Sequence, residues 1–269
     1  MPPVGEGAGA PATGDVLLDV REVSVRFGGL VALDQLTFTV ERGQICALIG
    51  PNGAGKTTFF NVVSRLYPPT EGHLRFDGTD LLLEPPYRIA SLGISRTFQN
   101  LALVPGLSVL ENVMVGAHSR SRGGFLTTPL RLPPVGREER RVRAAAMAML
   151  ESLHLDHLAD HPCAALPYGT LKRIEIARAL VAEPKLLMLD EPATGLTHAE
   201  VDELADLIRR LRREHDVTVL LVEHHMGMVM EISEKVVVLD FGRKIAEGSP
   251  EEVQRDQRVI EAYLGGGVR

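Results

Sequence analysis

From Val16 to Val40 apolar and polar positions alternate. Val23, Val25 and Phe27 share one face against Ser24 and Arg26, then Leu36, Phe38 and Val40 against Thr37 and Thr39. A period of two predicts antiparallel strands with one wet face. The pattern then becomes an unbroken run of small or apolar residues, Ile45 to Ile49, suited to a buried strand. Across a glycine-rich stretch, Phe59, Phe60, Val62, Val63 and Leu66 follow at helical spacing. Pro68 and Pro69 are expected to stop that helix, and Gly72 to Gly78 reads as a short strand ending in an Asp-Gly turn.

The texture changes between about Asn100 and His161, where strand signals vanish. Two helical stretches, Ser108 to Ala117 and Arg137 to Leu153, flank a basic, Pro-rich and Gly-rich segment from Ser119 to Pro134, which reads as a helical insert with a mobile loop. Afterwards helices alternate with wholly apolar strands. Leu171, Ile174, Ala177 and Val181 stripe one helix, and Val201, Leu204, Ile208 and Leu211 another, with Thr197 and Glu200 as its capping box. Leu186 to Leu189, Val217 to Val222 and Val236 to Leu239 are the strands. Such strands, alternating with helices, predict a parallel sheet covered on both faces. Ser249, Pro250 and Glu252 cap a short final helical segment ending in Tyr263 and Leu264.

Composition narrows the class. With 269 residues and 45% hydrophobic content the chain can build one large core or two small ones, and no internal repeat is visible. No uncharged apolar run approaches the roughly 20 residues a membrane span needs. A net charge of -6 argues against a large nucleic-acid footprint, so nucleic acid is not an expected partner. Cys46 in an apolar strand and Cys163 in a loop read as reduced and structural. The Gly-, Ala- and Pro-rich residues 1-15 lack the apolar core of a signal peptide and read as a floppy tail on a cytosolic protein.

The candidate chemistry begins between the first apolar strand and its helix. Gly50, Pro51, Asn52, Gly53, Ala54, Gly55, Lys56, Thr57 and Thr58 fit the GxxxxGK[ST] phosphate-binding loop. Its glycines let consecutive N–H groups turn inward around phosphate oxygens. Lys56 adds a charge for the outer phosphates, and the Thr57 hydroxyl can ligate Mg²⁺ at a helix N-terminus that favours anions. The second element is Leu-Leu-Met-Leu-Asp-Glu at Leu186 to Glu191, two carboxylates at a strand's C-terminal end. In an open parallel sheet ligands bind at that edge. Successive strand side chains point opposite ways, so Asp190 is assigned to Mg²⁺ or its water and Glu191 to the attacking water as general base.

With these motifs in order, the stretch from Val16 to Leu264 resembles the ATP-binding subunit of an ABC transporter. The resemblance implies an α/β P-loop NTPase with a RecA-like parallel sheet core, an antiparallel β subdomain and a helical insert subdomain. Residues 16-99 and 166-250 would form the catalytic core, 100-165 the helical subdomain and 251-264 a C-terminal helical segment. It implies ATP and Mg²⁺ as ligands. Phe27 stands where the family stacks an aromatic on adenine; taken alone the residue reads rather as core. Gln99, in Arg-Thr-Phe-Gln-Asn, matches the residue that senses Mg²⁺ and the γ-phosphate, and His224 the switch histidine, with His225 the alternative.

Leu166, Pro167, Tyr168 and Gly169, running into Thr170, match the signature motif. In the family this motif offers a helix N-terminus to the γ-phosphate held by a second subunit, so that two chains sandwich two ATPs. Pro167 stands where the family usually has serine and Thr170 where it has glutamine. A lost hydrogen bond to a charged phosphate costs about 1.5–3 kcal/mol. Thr197, in Gly195-Leu-Thr197, replaces a common aspartate.

Finer features are similar to the subunits of branched-chain (hydrophobic) amino-acid importers. They include Phe27-Gly-Gly-Leu30, Leu166-Pro-Tyr-Gly169, Arg173 to Leu180, Val222-Glu-His224 and the ending Ile260 to Gly265. That resemblance implies membrane permease subunits and a substrate-binding protein as partners. It also implies a homodimer or a heterodimer with a paralogous subunit, peripheral on the inner face of the membrane. The weakly charged stretch Leu101 to Leu110 suits either a docking groove or the insert's own core. The alternatives are the ATPase subunit of a lipid or lipopolysaccharide exporter and a weakly hydrolysing ATP-binding module. Neither sustained heptads nor a second P-loop appears, which sets aside chromosome-maintenance and translation-linked relatives.

Overall fold

A computed structural model describes residues 16–97, 101–117 and 133–264. In chain order the described strands and helices are β1 Val16–Phe27, β2 Leu30–Glu41, β3 Ile45–Ile49, α1 Lys56–Val63, β4 Glu71–Phe76, β5 Thr79–Asp80, α2 Ile89–Leu92 and β6 Ile94–Arg96. The helical α3 Val109–Gly116, α4 Pro133–Ser152 and α5 Tyr168–Leu180 follow. Then come β7 Leu186–Asp190, α6 His198–Glu214, β8 Thr218–Val222, α7 Met226–Ile232, β9 Lys235–Asp240, β10 Arg243–Gly248, α8 Pro250–Arg255 and α9 Gln257–Leu264.

Two sheets result. The first is antiparallel, in the order β2-β1-β4-β5, and the second runs β10-β9-β3-β8-β7-β6, parallel except for the edge strand β10. The apolar runs become strands because both faces of the parallel sheet are covered. Leu187 and Leu189 of β7 pack into the cluster built on α3 to α6, whereas Leu186 and Met188 pack towards α1 and the antiparallel sheet. Alternation along β8 does the same, Val219 and Leu221 one way, Leu220 and Val222 the other. The sheet therefore holds the ends of β3, β7 and β8 at a common edge, where residues 50–57, 190–191 and 223–224 emerge.

Several expectations change on contact with the structure. The alternation over β1 breaks at Glu22, which takes φ 52° and shifts the register between Val20 and Val23. The register shifts again between Val23 and Val25 and between Val25 and Arg26; Ser24 is buried at 1% exposure, its hydroxyl accepting from the Gln35 amide at 3.0 Å, and Phe27 is 48% exposed. α1 ends at Val63, before Pro68 and Pro69; Arg65 turns to φ 57°, and Leu66, expected on the apolar stripe, is exposed. The edge strand β10 has no apolar run and buries only Ala246, which is why the hydropathy pattern does not show it. The expected Asp-Gly turn is present, with Asp77 at φ 48° and Gly78 at φ 79° joining β4 to β5. Residues 1–15, and 119–132 of the expected loop, lie outside the described residues.

Besides its apolar core, the region around α3 is tied by one buried amide. Asn112 Nδ2 donates to the carbonyls of Val104, Leu107 and Ser108 and to Cys163 Sγ, while its Oδ1 accepts from the Val104 amide at 2.8 Å. Both cysteines are free and buried, and burial pushes the Cys46 thiol up to about 12, consistent with structural thiols. α3 crosses α5 so closely at Gly116 that a Cβ there would lie 1.9 Å from the Arg178 carbonyl oxygen. Gly116→Ala is expected to lower stability by about 1–3 kcal/mol, the cost of overpacking a tight contact. A thermal melt at the wild-type midpoint would show that the helices can part freely.

Candidate functional site

The loop after β3 is fixed from behind. At Gly50, φ 151°, a Cβ would meet the Leu239 carbonyl oxygen at 2.1 Å, so this approach of loop to β9 admits glycine alone. The Ala54 carbonyl accepts from the Gly242 amide at 3.0 Å, and the Gly242 carbonyl from the Asp34 amide at 2.9 Å. Asn52, Gly53 and Thr57 remain exposed, whereas Ala54 and Lys56 are buried. Lys56 Nζ folds back on the loop, donating to the carbonyls of Gly50 at 2.6 Å and Pro51 at 2.9 Å. Burial holds its ammonium below the ordinary lysine value, and Glu191 and Asp190 pull it back up. Tyr263 of α9 also reaches this loop. Desolvation pushes its phenol up to about 12, against a hydrogen bond donated by the Gly50 amide.

Asp190 and Glu191 are adjacent in sequence and different in environment, but not for the reason strand alternation gives. β7 ends at Asp190, and Glu191 lies beyond it at φ 50°, so both carboxylates act on Lys56. Asp190 is buried against Arg96, Nη2 to Oδ2 at 2.7 Å. Glu191 faces His224, Nε2 to Oε1 at 2.8 Å, and accepts from the Thr194 hydroxyl at 3.4 Å. His225 instead caps α7, its Nδ1 accepting from the Met228 amide at 3.4 Å, so of the two histidines His224 is the one on Glu191.

Two residues that hydropathy does not flag organise this edge. Glu223, 2% exposed, accepts from the Ala193 amide at 2.7 Å through Oε1. Through Oε2 it accepts from the amides of His224 at 2.6 Å and His225 at 3.0 Å, tying the turn after β7 to the turn after β8. Arg96 is the other. The sequence signal is clearer for Glu223, a charged residue directly after a wholly buried strand, than for Arg96, which ends a three-residue strand with only Ile94 buried.

Pro167 is the N-cap of α5 and supplies no side-chain cap, so the first-turn amides of Tyr168, Gly169 and Thr170 have no hydroxyl competing for them. Tyr168 packs on the following turn, where a Cβ at Gly195 would lie 3.0 Å from its ring, and Lys172 Nζ stands 5.6 Å from the ring centroid. Thr197 and Glu200 form the expected capping box, which lowers the Glu200 carboxyl below its ordinary value through hydrogen bonds from the Thr197 amide and hydroxyl. Leu166 is half-buried and packs on the helical core. Phe27 meets Tyr67 edge to face at 5.2 Å on the surface of the antiparallel sheet, away from the core. Gln99 lies outside the described residues. In the expected docking stretch Val104 is 46% exposed, whereas Val109 and Leu110 are buried, so it divides between surface and core.

The donor types suit a hard cation: an exposed residue with a hydroxyl at Thr57 and a carboxylate at Asp190. Exposed loop amides around Gly53, backed by a buried lysine, suit a polyphosphate. Together the parallel sheet, the phosphate loop and the Glu191–His224 pair define a P-loop nucleotide-hydrolysing protein.

Comparison narrows the class. A family profile described as ABC transporter matches residues 33–194, and one described as branched-chain amino acid ATP-binding cassette transporter matches 243–269. The chain is 43% identical over 249 residues to the high-affinity branched-chain amino acid transport ATP-binding protein BraF of Pseudomonas aeruginosa, covering 93% of this chain and 98% of that one. It is 40% identical over 249 residues to the high-affinity branched-chain amino acid transport ATP-binding protein LivG of Escherichia coli. Among solved structures, the ADP conformation of MJ1267, an ATP-binding cassette of an ABC transporter, superposes with TM-score 0.81 at 31% identity, covering 93% of this chain and 99% of that one. The chain belongs to the ATP-binding subunits of ABC transporters, and its fold class is that of their ATPases.

Proposed function

We propose that this chain hydrolyses ATP to power the import of branched-chain or other hydrophobic amino acids through a membrane permease. The Glu191–His224 contact at 2.8 Å, at the sheet edge that carries the phosphate loop, supports the hydrolytic half of the reading. The transport functions of the relatives and the match over 243–269 support the transport half. No helix of the described residues is long and apolar enough to cross a membrane, so the membrane path is assigned to partner subunits.

In this reading the loop amides and Lys56 hold the phosphates, and Phe27 offers its exposed ring to the adenine. Thr57, Asp190 and Gln99 hold Mg²⁺, which when bound neutralises charge on the phosphate oxygens. Glu191 takes the proton of the attacking water, and His224 holds Glu191 in place while reaching towards the γ-phosphate. The bare amides at the start of α5, from Tyr168 to Thr170, serve the nucleotide of a second subunit, a copy of this chain or a paralogue. Pro167 removes the family's hydroxyl from that contact and leaves the helix N-terminus to carry it. The permease seats on the exposed part of the insert near Val104 and Val115, and a substrate-binding protein delivers the amino acid.

Disrupting the gene in its host is expected to lower uptake of radiolabelled leucine, isoleucine and valine. The wild-type gene should restore uptake, and one carrying Glu191→Gln should not. Unchanged uptake accompanied by a defect in lipid export would overturn the importer reading in favour of an exporter.

A further inference from the structure

Arg96, the last residue of β6, opens the stretch that runs to Gln99 and takes no role of its own from the sequence, yet its guanidinium is a junction of the nucleotide site. It is 9% exposed and its Nη2 lies 2.7 Å from Asp190 Oδ2, a carboxylate itself 4% exposed. Nη1 donates to Asn61 Oδ1 at 2.8 Å and to Ser64 Oγ at 3.2 Å, both beyond Thr57 in the direction of the α1 C-terminus. The guanidinium carbon stands 5.4 Å from the centroid of the Phe60 ring. One side chain thus joins the helix that carries Thr57 to the strand end that carries Asp190. The planar fork of arginine makes this possible, because its donors leave in fixed, divergent directions.

We propose that Arg96 is the positioning residue of the magnesium site. By engaging Asp190 Oδ2 it turns Oδ1 over to the cation or its water, and through Asn61 it sets the spacing between Asp190 and Thr57. The proposal rests on the reading of Thr57 and Asp190 as magnesium ligands. A magnesium site tolerates little departure from octahedral geometry, so the spacing of its ligands bears directly on affinity. Neutralising the buried carboxylate is a separate service, one that any cation could perform. The distinctive content of the proposal is orientation, and a lysine at the same position would supply charge without it.

The test is equilibrium binding of a fluorescent ATP analogue to the purified full chain, in EDTA and across a magnesium titration. Wild type should bind more tightly as magnesium rises. Arg96→Lys should keep metal-free binding within about twofold while its magnesium midpoint rises about 10- to 100-fold, the usual cost of losing a partner that orients a metal ligand. Asn61→Ala combined with Ser64→Ala, which removes both anchors on the α1 side and no charge, should shift the midpoint in the same direction, and it decides the matter if Arg96→Lys does not fold. A wild-type midpoint in these variants, or an equal loss of metal-free binding, would reduce Arg96 to charge compensation or general structure and end the proposal. Wild type with no magnesium dependence would instead remove the metal reading of Thr57 and Asp190 itself.

Discussion

Glu191→Gln is expected to lower ATP turnover about 10²- to 10⁴-fold, the usual cost of removing a general base, while leaving the fold and nucleotide binding intact. The substitution keeps the shape of the side chain and its hydrogen bond from the Thr194 hydroxyl, and it leaves Val222 O accepting from the residue 191 amide at 2.8 Å. What disappears is a carboxylate able to receive a proton beside His224. Phosphate release should collapse, and the variant should accumulate as an ATP-bound dimer on size-exclusion chromatography. Undiminished phosphate release would take the base away from Glu191 and leave the His224 contact as a structural one.

The adjacent carboxylate should behave in the opposite way. Asp190→Ala removes the carboxylate paired with the nearly buried Arg96, and breaking such a pair from one side costs about 3–5 kcal/mol. For a chain of this size about 1 kcal/mol moves the melting midpoint by roughly 2–4 °C. Asp190→Ala should therefore melt well below wild type, whereas Glu191→Gln, at the more open position, should not. A pair of coincident melting curves would mean that Arg96 does not depend on Asp190, against the 2.7 Å contact. The comparison separates two carboxylates that share one strand end by what each does for the protein.

The parts of this architecture legible in the sequence are those governed by local pattern. β3, β7 and β8 are buried on every residue, so their apolar runs announce them, and the loop from Gly50 to Thr58 follows from residue types at fixed spacing. Relations between distant residues were not legible. Arg96 meets Asp190, and Glu223 meets Ala193, only because the parallel sheet brings separate strand ends together. Local rules also failed where the backbone left its regular path. Successive register shifts along β1 put Ser24 inside and Phe27 outside, and beyond the end of β7 the left-handed backbone at Glu191 leaves that carboxylate on His224. A period-two argument assumes an uninterrupted strand, and β1 shifts register more than once while β7 ends before Glu191.

The sheet order carries a consequence for how the protein comes off the ribosome. β3, which delivers the nucleotide loop, is flanked by β8 and β9, and the loop's rear support comes from Gly242. A growing chain thus emits its central strand early and must wait for most of its remaining length before either edge of that strand can pair. Until then five apolar residues, Ile45 to Ile49, have no sheet to enter. Ribosome-bound intermediates of this protein should be clients for chaperones that shield apolar segments, and only a nearly finished polypeptide can grip a nucleotide.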